Sequence, residues 1–150
     1  MAHAAADPRR LALPLDTPVD LIPGAQGDPV ETGLQVPFEI VDLPNVPGKN
    51  CPCGLSHRAF TRPDNRACTL HLVEIKSDAV AHYHKYLTEV YYFLEGEGQI
   101  ELDGKLYPVK PGVSVLIRPG TRHRAVSGGK PMKILNVVVP HFDPADEWFD

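Results

Sequence analysis

No apolar run in these 150 residues approaches the ~20 needed to cross a bilayer, so no membrane span is expected. Nor is there a basic excess: 15 Lys and Arg stand against 19 Asp and Glu, a formal net charge of -4. A chain without a basic face cannot neutralise many phosphates, which argues against nucleic-acid binding. Cysteine is scarce and odd in number, with only Cys51, Cys53 and Cys68. Three thiols cannot close a disulfide framework within one chain, and they fit a reducing compartment. The Ala-rich start, residues 1–10, is followed by no apolar core and small-residue cleavage site of the secretory kind. The expected location is therefore the cytoplasm. No helical hairpin of about 20 residues is legible, which removes a helix-turn-helix regulator from consideration.

What is present suits one domain with a real core: 43% hydrophobic and 23% charged residues are ordinary for a globular chain. Ten of the 16 prolines fall within the first 63 residues. Proline lacks a backbone donor and disfavours helix interiors and central strands. Residues 1–35 are therefore expected to form an extended or partly disordered Pro-rich arm, with Leu11, Leu13, Leu15 and Leu21 as its anchors. Residues 36–150 form the domain proper.

Within that domain, 36–43 alternate enough for a short strand, while 44–54 and the adjoining 56–60 read as a loop covering one end of the fold. Residues 67–75 are a strand with Thr69, His71, Val73 and Ile75 on one face. From Glu89 the chain reads as a meander. Asp103-Gly104 signals a two-residue hairpin, because both central positions of a type I′ turn need positive φ. Further strands are expected at 105–109, 113–117, from His123 and at 132–139. Short strands parted by turn residues every 8 to 12 positions predict an all-β barrel or sandwich. At the end, 143–147 can nucleate one helical turn, and ordered packing of the tail would bury Trp148 and Phe149.

The chemistry concentrates between His82 and Gly96. His82 and His84 lie two apart and share a face of an extended segment; after four intervening residues Glu89 opens the run Val90-Tyr91-Tyr92-Phe93-Leu94. His123 comes after a turn at Pro119-Gly120. Three imidazoles and one carboxylate suit a single divalent transition ion, be it Fe, Mn, Ni, Cu or Zn. Four donors at matching spacing outweigh the alternative of solvated surface histidines. A second grouping, Cys51, Cys53 and His57, suits zinc in ligand type but lacks a visible fourth donor, so burial of the cysteines as small hydrophobes is preferred.

This pattern, His-x-His-(x)4-Glu-(x)6-Gly and then Gly112-(x)7-Gly120-(x)2-His123, resembles the two motifs of the cupin superfamily over residues 68 to 140. The resemblance implies a double-stranded β-helix, or jelly-roll, barrel with His82, His84, Glu89 and His123 as metal ligands. Lys76 stands where a glycine is usual, the second motif's proline is moved by one place, and its closing asparagine is Ser127. None of these departures touches a ligand.

If Glu89 points inward, Tyr91 and Phe93 share its face and form a pocket wall with Leu116 or Ile117 and with Val137 or Val139. His71, His57 and Arg58 are further pocket candidates, and an arginine at the mouth would favour carboxylates by bidentate pairing. The expected substrate is a small organic anion. The resemblance places a metal-dependent, dioxygenase-like oxygenase first. An isomerase or lyase on a sugar or keto acid comes second, since it needs an acid/base residue beside the metal, for which His71, Tyr91, His57 and Glu74 are candidates. A non-catalytic ligand-binding protein comes third. Related single-domain proteins pair through edge strands or exchanged arms, which implies a homodimer.

Overall fold

The structure, a computed structural model, describes residues 37–52 and 54–149. The expected N-terminal arm with its leucine anchors lies outside the described residues, as does Cys53. The strands and the site all belong to the unit Val41–Asp150.

Nine described strands make up that unit: β1 (Lys49–Cys51), β2 (Gly54–Ala59), β3 (Thr69–Ile75), β4 (Thr88–Glu95), β5 (Gly98–Leu102), β6 (Lys105–Val109), β7 (Ser114–Ile117), β8 (His123–Val126) and β9 (Met132–Val139). Six of them form one sheet in the order β1-β2-β3-β9-β4-β7, and three form a second in the order β6-β5-β8. Each pairing between them is antiparallel. The core is built from both sheets: Val73, Ile75, Phe93, Ile117, Met132 and Ile134 come from the first, Ile100, Val109 and Ala125 from the second. This is the jelly-roll barrel that the motif spacing implies.

Turn chemistry sets the meander. Asp103 and Gly104 both have positive φ, 47° and 78°, as a type I′ hairpin between β5 and β6 demands. The glycine that closes the first motif, Gly96, has φ +80°, and a Cβ there would sit 2.4 Å from the Pro131 carbonyl oxygen. No other residue fits that approach without moving backbone.

Three expectations need correction. Residues 37–43 hold no strand; a 3-10 turn at Leu43–Asn45 has Pro44 in its first turn, the position where proline's missing donor costs nothing. The expected loop over 44–54 instead contains β1, which pairs with β2, and β2 in turn pairs with β3 from Gly54↔Ile75 to Ala59↔Leu70. Pairing with β3 supplies the hydrogen bonds that this polar stretch gives no local sign of seeking. Its period-two alternation turns Ser56 and Arg58 inward. The tail does make a turn, a 3-10 helix at Pro144–Asp146, but Trp148 and Phe149 remain exposed. Lys85 Nζ lies 3.2 Å from the Trp148 ring centroid, so a cation rather than the core partners that indole.

Candidate metal centre

His82 and His84 are carried by an extended segment outside the named strands, pinned by reciprocal backbone bonds between His82 and His123 (3.0 and 2.8 Å). Gly120 N donates to the His84 carbonyl (2.7 Å), so the turn before β8 holds the same segment. Glu89 projects inward from the second position of β4. All four side chains are buried, and one donor atom from each lies within 4.8 Å of every other. The set expected to hold an ion is brought together.

The ring orientations test whether an ion fits. His82 Nδ1 lies 3.1 Å from the Val80 carbonyl oxygen, His84 Nδ1 2.7 Å from that of Asp146, and His123 Nδ1 2.9 Å from that of Thr121. A carbonyl only accepts, so each Nδ1 carries a proton and each Nε2 is left to face the centre. Glu89 Oε2 lies 2.9 Å from His123 Nε2 and 3.4 Å from His84 Nε2. These three buried atoms have no hydrogen-bond partner. Lone pairs facing one another in a dry interior need either a proton or a cation between them. Three neutral imidazoles and a carboxylate are a donor set for a divalent transition ion.

Electrostatics agree. Burial, reinforced by the neighbouring His123, holds His82 down to about 4, so its imidazole is neutral at pH 7. Burial alone would raise Glu89, but contacts with His123 and His84 outweigh it and hold the carboxyl well below its usual range. Burial would lower His84, whereas the Glu89 carboxylate raises it. The net effect raises His84 above its ordinary value, because the Glu89 carboxylate favours a positive charge beside it.

Three of the four donors, His82, His84 and Glu89, line one cavity of about 580 Å³, its open mouth included, and His123 stands within 4.8 Å of them outside its lining. Val73, Ile75, Ala125 and Ile134 give it apolar walls. Among the expected pocket residues, Tyr91, His71 and Arg58 line it. His71 faces inward but is not one of the four clustered donors, and burial holds it down to about 4, with Arg58 adding to the effect. His57 does not line the cavity: β2 alternates, so it faces away and its Nδ1 bonds the Val46 carbonyl. Phe93 points inward as its parity requires, yet it is fully buried in the packed core beyond the cavity lining. The β9 contribution is also shifted by one residue. Met132, Ile134, Asn136 and Val138 face in, and Val139 is exposed. Leu116 is exposed while Ile117 is buried. Among the described residues, the one cluster able to hold a metal is the His82 set; neither Cys51 nor His57 joins another.

Two pocket residues escape a sequence reading. Asn136 Nδ2 donates to Glu89 Oε1 at 2.6 Å and fixes the carboxylate from the neighbouring strand. Its signal is a lone amide within an apolar run. Glu147 lines the cavity from the C-terminal tail, its Oε1 3.8 Å from His82 Nε2. Burial raises its carboxyl above the ordinary value. Nothing local marks it out, because its place depends on where the tail crosses the barrel.

A family profile described as a cupin domain matches residues 69–138. An uncharacterized protein of Methanocaldococcus jannaschii is 36% identical over 76 residues, 50% of this chain and 61% of that one. The L-ectoine synthase of Halomonas elongata is 32% identical over 88 residues, 57% of this chain and 64% of that one. The matched regions thus span less than two thirds of these curated relatives. A solved protein from Planctomyces limnophilus superposes with a TM-score of 0.67 at 36% identity, covering 73% of this chain and 95% of the other. No described helix is long and apolar enough to cross a membrane.

Proposed function

The chain belongs to the cupin superfamily, and from that premise we propose that it is a metal-dependent lyase or isomerase acting on a small organic molecule. One observation carries this reading over oxygenation: Glu147, a half-buried carboxylate, stands 3.8 Å from a ligand nitrogen of the metal set. Elimination and isomerisation need a proton-handling group beside the ion, and an oxygenase does not. The oxygenase that motif resemblance places first is supported by the donor set and apolar walls alone, which serve either chemistry equally. The curated relatives that carry a functional name are synthases, not oxygenases.

In this reading His82, His84 and His123 hold the ion through Nε2 and Glu89 through Oε2. When bound, the ion supplies Lewis acidity to a substrate oxygen. Asn136 keeps Glu89 oriented so that its charge faces the donors. Glu147 takes a proton from the substrate and returns it to the departing or rearranging oxygen. Burial moves its affinity for protons toward the working pH, which favours a group that must both accept and donate. Val73, Ile75, Ala125 and Ile134 keep water from the reacting end.

The test is turnover without oxygen. Protein loaded with Zn, Mn or Fe(II) is incubated under nitrogen with small hydroxy, keto and amino acids and sugars, and products are tracked by proton NMR. Anaerobic product formation is expected. Glu147→Gln should lower kcat by about 10²–10⁴ with metal content unchanged. Turnover that consumes dissolved oxygen and survives Glu147→Gln would return the protein to the oxygenases.

A further inference from the structure

The cavity holds one cationic side chain that the metal centre does not use. Arg58 reaches it from β2, beside the fully buried Ser56. Two contacts fix the guanidinium: Nε donates to Ser56 Oγ at 3.3 Å, and its central carbon lies 4.6 Å from the Phe142 ring centroid. Phe142 is itself held edge-on to His71, with ring centroids 5.1 Å apart. Among the described residues no carboxylate forms an ion pair with Arg58, whereas Arg62 and Arg124 each have one. A fork whose Nε is engaged, whose face is stacked and whose terminal nitrogens lack an anion is arranged for bidentate pairing.

Charge balance points the same way. A dication with Glu89, Glu147 and Arg58 leaves the pocket one positive charge in excess when both carboxylates are ionised. His71 adds none, since burial holds it down to about 4. A single anion neutralises the pocket. We infer that Arg58 is the specificity-determining residue of the site and docks the carboxylate of a small carboxylic-acid substrate. The substrate's apolar body then lies along Val73, Ile75 and Ile134, leaving another of its oxygens to meet the metal set. This inference rests on the proposed catalytic reading for the last step only; carboxylate docking itself needs no ion.

The experiment measures binding of sodium butyrate and its neutral isostere butyramide by calorimetry and ligand-observed NMR. Wild-type protein is used zinc-loaded and chelator-stripped, alongside zinc-loaded Arg58→Gln and Arg58→Lys. Zinc content and melting temperature are recorded for each. Butyrate should bind the wild type better than butyramide, and Arg58→Gln should weaken butyrate about tenfold to a hundredfold while leaving butyramide unchanged. Arg58→Lys should recover part of the loss, since it keeps the charge without the fork. Stripped wild type should still prefer butyrate. Equal butyrate binding by wild type and Arg58→Gln overturns the assignment, as does butyrate binding that disappears on stripping; both leave the metal reading intact. A wild type that retains no zinc yet prefers butyrate through Arg58 overturns the metal reading and upholds this one.

Discussion

Asn136 occupies the middle of β9, in register with His71 on one side and Tyr91 on the other, and reaches diagonally to Glu89. A buried amide in an apolar strand costs free energy unless it is bonded, and here its bond orients the Glu89 carboxylate of the candidate metal centre. Asn136→Ala should lower metal affinity roughly 10–100-fold, read by competition with a chelator, as for other residues that hold a ligand in place. Unchanged affinity would mean that the histidines alone fix Glu89. His82 and His84 are legible because they lie two apart and share a face, while Glu89 and the distant His123 are legible through the two-motif resemblance. Asn136 is not, and the pattern points to Val137 or Val139 as a wall residue instead. In a run with apolar residues of both parities, the inward face is set by register against β3 and β4, and a slip of one residue exchanges the two faces. Glu147 and Arg58 differ in kind. Arg58 is visible as a candidate but its face is not, because the β2 stretch has the local character of a loop. Glu147 depends on contact between the tail and residues far back in the chain.

The element that joins these residues is the C-terminal strap around the 3-10 turn Pro144–Asp146. The Asp146 carboxylate accepts from the backbone N–H groups of Lys85, Tyr86 and Leu87 (2.9, 2.9 and 3.1 Å), and the Asp146 carbonyl accepts from His84 Nδ1. Trp148 exchanges two backbone bonds with Tyr83, both 3.0 Å. One short turn thus orders the chain just after His82 and His84 and turns the next side chain, Glu147, into the cavity. Burial alone would raise the Asp146 carboxyl, but the Tyr86, Lys85 and Leu87 donors hold it below its ordinary 3.8. A depressed native pKa stabilises the fold fully above the unfolded value and loses that stabilisation as pH falls through the native one. Asp146→Asn should therefore cost about 1–3 kcal/mol in denaturant unfolding near neutral pH. The gap between variant and wild type should stay constant above about pH 5 and close as pH falls below 3.8. A gap that persists in acid would assign the loss to packing rather than to the carboxylate. The variant should also bind metal more weakly, since His84 loses the frame that holds its donor. The turn itself is legible in Asp143-Pro144; its partner is not, because three donors in a row carry no mark in sequence.

At the scale of the molecule, the barrel is legible from β4 onward because the turns there announce themselves in Gly, Pro or Asp-Gly and the strands between are short. What local patterning leaves open is how the outer face of the large sheet is covered. On β4, Phe93 and Tyr91 turn inward, which sends Tyr92 and Leu94 out; on β7, Ile117 turns in and Leu116 out. Register places Val90 beside both Leu116 and Val137, and Tyr92 beside Leu135. The result is a contiguous apolar face at the β7 edge, with Leu116 53% and Tyr92 43% exposed. Scattered surface hydrophobics need no explanation, but a continuous patch on a sheet whose edge strand has no further partner among the described residues does. A second copy of the chain, applied across the same face by a two-fold axis, would cover both at once. The expected mass by size exclusion with light scattering is twice the 16.5 kDa of one chain. Leu116→Glu should return it to one chain mass while leaving metal content unchanged, because Leu116 faces away from the centre. A wild type that elutes as a single chain at micromolar concentration would refute the dimer, and a variant that loses metal along with its partner would make the pocket depend on assembly.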